Sequence, residues 1–362
     1  MSILKIDRVH FHTFDSLRFL SFLLVFLYHC SIPESNFLHY FSKAGNIGVS
    51  FFFVLSGFLI TYILLVEKIN HQNKVPLKRF FLRRILRIWP LYYLMVIFAF
   101  CTPFILSVLK LPSSNEGYYP NWFFTITFLE NYVMMYKNML PNVSPISVMW
   151  SLCIEEHFYI IWGLIFYFIS FKNIPRLIVI SILISVVFRL IYGNYGISNT
   201  DILTNIHYFA FGALPAYIFV FRKDMIQKLE KIPAIYKYVF ALFVLLAIVV
   251  MTNFFIINKN VSAFVFGALF SILILMTLGE KNVFKISDDS IFAWLGKYTY
   301  GLYLIHIICV QLFNKIGARL ELHWFVVILL SFSVTVVLSY LSYHLFEKQF
   351  LKLKKRHNSA DS

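Results

Sequence analysis

The segment WSLCIEEHFYIIW, residues 150–162, sets two adjacent carboxylates, Glu155 and Glu156, inside a stretch otherwise apolar enough to enter a membrane. An ionisable side chain near the bilayer centre costs about 2.5–3.5 kcal/mol on insertion scales, so such residues usually face a bundle interior and serve a purpose. Two carboxylates in succession project about 100° apart on a helix, so one can face a cavity while the other meets a neighbouring helix or an arginine. They could supply an acid or an orienting anion; the structural alternative is a buried ion pair holding helices together.

Three further groups have types and spacings that permit chemistry. Arg18 and His29 are three turns plus about 20° apart, which puts both on one helical face, about 16 Å apart along the axis. Ser21, Phe22 and Val25 share that stripe, and Asp15 sits one turn before Arg18. A base and an anion-binding group would then line one wall; otherwise Arg18 snorkels to the interface and His29 is a satisfied core histidine. His306 closes LGKYTYGLYLIHI, with Tyr303 one turn earlier, and by itself reads more readily as a core histidine than as a catalytic one. In KRFFLRRILRIWP, Arg79, Arg83 and Arg87 recur every four residues with Arg84 flanking. A basic stripe on anionic lipid explains that spacing, and arginine forks also suit phosphate oxygens.

The elements that must position these groups are transmembrane helices. The 362 residues are 60% hydrophobic and 14% charged, with a mean hydropathy of +0.75, and apolar runs of about 18 or more recur throughout. This predicts an all-α, polytopic bundle of ten spans, near residues 14–31, 47–66, 89–110, 147–171, 176–193, 202–221, 236–257, 261–279, 297–314 and 323–345. A further apolar segment, Trp122 to Tyr136, is short and holds Glu130 and Asn131, so it is expected to be interfacial or re-entrant.

The charge of +15 falls in short segments between apolar runs, which reads as cytoplasmic loops and not as a nucleic-acid surface. Ten spans place both termini in the cytoplasm; counting the Trp122–Tyr136 segment would export the basic tail. The membrane domain is expected to occupy residues 1–350 and the basic tail 351–362. Four cysteines at or within apolar runs indicate neither a disulfide framework nor a zinc site, and no metal is expected. The first span has no small-residue cleavage site and reads as a retained helix.

The order FDSLRFLSFLLVFLYH, GVSFFFVLSGFLIT, FLRRILRIWPLYYL, WSLCIEEHFYIIW, LGKYTYGLYLIHI and SYHLFEKQFLKL resembles the acyltransferase 3 family of integral-membrane acyltransferases. The resemblance runs from residue 14 to about 353. It implies transfer of an acyl group, usually acetyl from acetyl-CoA, to a hydroxyl of a carbohydrate or glycolipid at a bacterial inner membrane. The family's arginine and later histidine match Arg18 and His29, its R-x-x-R motif Arg84 and Arg87, its W-S-L-x-x-E-E motif Glu155 and Glu156, and its late histidine His306. Ser16, Phe19 and Gly163 depart from the family pattern at packing positions. No C-terminal hydrolase-like domain is expected, and the bundle itself would then deliver the acyl group to the final or a lipid-linked acceptor.

On that implied chemistry, Arg84 and Arg87, with Arg83 beside them, would hold the phosphates of acyl-CoA. His29 would act as general base or transient acyl carrier, Glu155 or Glu156 would orient it, and Arg18 would bind donor or neutralise developing charge. A transporter or flippase for a lipid-linked saccharide would also bury charges, but would be expected to show an internal repeat, and none is evident.

Overall fold

The computed structural model describes residues 7–108, 110, 117–254 and 258–359. The chain is all-α, and among the described residues the one β-type pairing is an isolated bridge between Tyr118 and Pro141. The long helices are α1 (Thr13–His29), α2 (Gly45–Asn70), α3 (Leu77–Val108), α4 (Trp150–Phe168), α5 (Ile174–Tyr195), α6 (Ile202–Phe221), α7 (Ala234–Asn253), α8 (Lys259–Thr277), α9 (Thr299–Arg319) and α10 (Trp324–Ser342). Nine of these, α2 to α10, are long and apolar enough to cross a membrane. The opening helix has 17 residues; it would measure about 25 Å and lies at the short end of the spanning range.

The basic stripe departs from expectation in its continuity. α3 begins at Leu77 and carries Arg79 to Arg87 as its first turns, with Pro90 and Pro103 inside it. A membrane helix tolerates internal proline where neighbouring groups re-satisfy the freed carbonyl. The segment expected to be interfacial or re-entrant breaks into two short helices, Trp122–Ile126 and Glu130–Lys137, too short to span. Phe128 between them adopts φ of 59°.

Two compact units are distinguished. The first comprises residues 1–77, 158–191 and 202–297. Its centre is the pair α2 and α6, which approach backbone to backbone at two glycines. A Cβ on Gly57 would lie 2.2 Å from the Phe209 carbonyl, and one on Gly212 would lie 1.9 Å from that of Val54. Small residues permit this approach where lipid offers no hydrophobic drive between helices. Phe209 stacks on Phe158 at 4.0 Å and on Phe53 at 4.9 Å, sealing the contact. Gly212→Ala should therefore force the helices apart, at a cost of about 1–3 kcal/mol. Gly193→Ala, which meets nothing within 4 Å, is the control. Thermal unfolding in detergent checks this: equal midpoints for the two variants would contradict the close approach.

The second unit comprises residues 78–157, 192–201 and 298–362. Leu91, Tyr92, Val96, Phe128, Met149 and Leu304 are among its core residues. In α10 the hydroxyls of Ser331, Thr335 and Ser339 each donate to the carbonyl four residues earlier, at 2.6–2.7 Å. That internal bonding lets polar residues sit buried in an apolar helix. The chain continues from α10 through a π-turn, Tyr343–Glu347, into a helix reaching Ser359.

Candidate active site

The expected site residues divide between the units: Arg18 and His29 lie in the first, and Glu155, Glu156, His306 and the arginines of α3 in the second. On α1, Nη1 of Arg18 pairs with Oδ1 of Asp15 at 2.8 Å, both side chains being about a fifth to a quarter exposed. Ser21, Phe22 and Val25, on the same stripe, are buried. His29 ends the helix half-buried, its ring edge-on to Tyr28 at 5.1 Å. The opposite face of α1 presents Leu17, Leu20, Leu24 and Leu27 to an apolar cavity of about 750 Å³, closed by residues such as Val244 and Phe270 of α7 and α8. This cavity lacks Arg18 and His29 in its lining. Ser21 does line it, so the stripe borders the cavity at that residue.

In the second unit the two glutamates have different surroundings, as their angular offset requires. Glu156 is 7% exposed. Its Oε2 accepts a hydrogen bond from Nε1 of Trp89 at 3.3 Å, and its Oε1 is buried with no hydrogen-bond partner among the described residues. Arg84 lies close enough for its charge to act on this carboxyl. Glu155 is half-buried and acts electrostatically on Tyr303 of α9. The Tyr303 hydroxyl donates to the Val148 carbonyl at 3.0 Å and meets Ser151 Oγ at 2.7 Å. One turn on, Nδ1 of His306 lies 2.7 Å from the Tyr303 carbonyl. A carbonyl only accepts, so Nδ1 is the donor of this bond and carries a proton. His306 is fully buried.

The arginines of α3 differ in exposure. Arg83 is 5% exposed, Arg84 is half-buried, and Arg87 is exposed, near enough to Glu347 to influence it. A uniform lipid-facing stripe does not describe them, because one helix turn carries a buried and an exposed guanidinium. Arg87 is the most exposed of the three, and Arg84 is partly open beside it.

Two polar clusters escaped the sequence reading as site candidates. Glu130 is fully buried and accepts from the hydroxyls of Tyr118 at 2.5 Å and Thr125 at 2.7 Å. Burial, and then the bond to Glu130, push the Tyr118 phenol far above its ordinary range, so it stays a neutral donor. In the first unit, Nδ1 of His207 meets Ser185 Oγ at 2.7 Å, Ser185 donates to the Thr204 carbonyl at 2.8 Å, and Nε of Arg189 donates to that carbonyl at 2.7 Å. The signal that could have found Arg189 and His207 was the one applied to Arg18: an ionisable residue within an apolar run.

The chain matches the family profile described as an acyltransferase domain, of the acyltransferase 3 family, over residues 11–344. It is similar to the peptidoglycan O-acetyltransferase OatA of Listeria monocytogenes, at 28% identity over 321 residues, covering 83% of this chain and 50% of that protein. It is also similar to the putative peptidoglycan O-acetyltransferase YrhL of Bacillus subtilis, at 29% identity over 92% of this chain and 54% of that protein. The O-acetyltransferase OatA of Staphylococcus aureus is 26% identical over 93% of this chain and 57% of its own length. The chain thus spans about half the length of the curated relatives it matches. No solved structure matches it.

Proposed function

The chain belongs to the acyltransferase 3 family, and from that premise we propose that it is a membrane-embedded O-acyltransferase. It moves an acyl group, acetyl in the simplest case, from acyl-CoA to a hydroxyl of a cell-surface carbohydrate, with peptidoglycan or its lipid-linked precursor as acceptor. The observation that carries this reading is the match over residues 11–344, a range that includes Arg18, His29, Arg84, Arg87, Glu155, Glu156 and His306. The acceptor class follows from the names of the relatives.

The reaction balances simply. The acceptor oxygen attacks the thioester carbon, the carbon–sulfur bond breaks, and the hydroxyl proton passes through the base to the departing thiolate, giving ester and free CoA. His29 takes that proton as general base, the role a positioned histidine most often fills in proton transfer. Glu155 or Glu156 supplies an orienting or charge-stabilising anion to the reaction, and His306 supports it through the Tyr303 contacts. Arg18 neutralises charge developing at the reacting carbonyl. Arg84 and Arg87, with Arg83 beside them, receive the donor phosphates through paired hydrogen bonds. The basic segments between spans support cytoplasmic termini at a bacterial inner membrane, which would present the α3 arginines to cytoplasmic CoA.

Labelled acetyl-CoA supplied to the purified chain with a peptidoglycan fragment tests the reading. Acceptor-dependent release of free CoA and a labelled, alkali-labile ester are expected; neither product appearing would overturn it. In the same assay the Arg84→Lys, Arg87→Lys double variant should raise the KM for acetyl-CoA at least about tenfold with kcat little changed, because lysine cannot reproduce the fork. An unchanged KM would return these arginines to a lipid-anchoring role.

A further inference from the structure

We propose that His10, His12 and Asp288 form a binding site for a first-row divalent cation, zinc above all, that fastens the start of the opening helix to the segment preceding α9. All three residues belong to the first unit. Nε2 of His10 lies 3.3 Å from Oδ2 of Asp288, and Nδ1 of His12 contacts the same oxygen. The three donor atoms all lie within 4.8 Å of one another. The two imidazoles meet edge-on, with centroids 4.9 Å apart and planes at 87°. A tetrahedral zinc ion with bonds of about 2.0–2.2 Å holds its ligand atoms roughly 3.3 Å apart, so these donors need only small adjustments to enclose one.

The donor set selects the class of ion. Two imidazole nitrogens and a carboxylate suit zinc, copper, nickel or iron, whereas magnesium and calcium prefer oxygen throughout. The side chains are 64%, 50% and 36% exposed, which leaves a route for metal entry and room for water as a further ligand. Glu280 lines the same small cavity as both histidines, where its carboxylate can bond such a water. Ordinary N–H···O bonds to Asp288 are the competing account of these contacts, and only a metal titration separates the two.

Position gives the site its consequence. His12 is the residue immediately before α1, and Thr13 Oγ1 accepts from the Ile286 amide at 3.2 Å. The short helix Ile291–Gly296 then packs on α1 so closely that a Cβ on Gly296 would meet the Asp15 carbonyl at 2.0 Å. An ion at this point would hold α1, with Arg18 and His29, to that helix. It takes no part in acyl transfer, so the inference stands apart from the proposed activity. The histidines gave no metal signal in the sequence because their carboxylate partner is 276 residues from His12.

The test uses the full chain in detergent, free of any polyhistidine tag and stripped with chelator, titrated with Zn²⁺ by equilibrium dialysis and with Co²⁺ by visible absorption. One saturable equivalent is expected, with a cobalt spectrum of low coordination number and a thermal midpoint that rises with Zn²⁺. His12→Gln and Asp288→Asn should each weaken binding at least about tenfold, a loss no smaller than outer-shell substitutions produce. His10→Gln supplies a third exposed position if either variant fails to elute as a single species. No saturable binding by the parent chain, or equal affinity in the variants, would overturn the site.

Discussion

His29→Ala is expected to lower acyl transfer by about 10²–10⁴-fold, the usual share of a positioned general base, while the amount of protein in the membrane stays the same. The second half of that expectation follows from the helix. His29 is the last residue of α1 and half-buried, whereas the packing of that helix is made by Phe14, Leu17, Phe19, Phe22 and Phe26. Truncating a terminal side chain removes little buried area, so a loss of activity cannot be assigned to unfolding. His29→Gln refines the test. Glutamine keeps a polar group of similar reach but cannot shuttle a proton at neutral pH, so equal loss in both variants assigns the role to proton transfer. Recovery in His29→Gln would make His29 a hydrogen-bonding positioning residue. Normal transfer by His29→Ala at normal protein levels would remove the base from the mechanism altogether.

The sequence was most legible where a bilayer simplifies the physics. A span must be apolar for some twenty residues and must close its own backbone hydrogen bonds, so length and hydropathy located α6 to the residue and most other spans to within a few. They failed at α3, where the expected start near residue 89 lies twelve residues inside the helix. Arginines lowered the hydropathy there, although long charged side chains do not end a helix. Candidate site residues were legible as polar groups out of place, and so was the spacing that allows contacts within one helix, such as Arg18 with Asp15 or His306 with the Tyr303 carbonyl. Contacts between helices were not. Nothing in the local sequence joins Trp89 to Glu156, Tyr118 to Glu130, or His12 to Asp288, because each pair is set by how distant helices and loops pack.

Glu156→Gln separates the two accounts of the paired carboxylates that the sequence left open. Glutamine has nearly the same shape, and its carbonyl can still accept from Trp89, but the negative charge is gone. If Glu156 serves to tie α4 to the α3 arginines, neutralising it leaves Arg84 without that charge, and thermal stability should fall while transfer per folded molecule persists. If it serves the reaction, stability should hold or rise, because a buried charge has been removed, and transfer should drop by about 10²–10³-fold, as when a preorganised electrostatic partner is lost. The second result is expected. A buried carboxylate oxygen with no hydrogen-bond partner among the described residues, as Oε1 of Glu156 is, carries a desolvation cost of about 1–3 kcal/mol or more. Glu155→Gln should have the smaller effect, since that side chain is half-buried and acts on Tyr303. Unfolding midpoints measured beside acetyl transfer for the two variants decide the matter: a destabilised but fully active Glu156→Gln would make the pair a structural device.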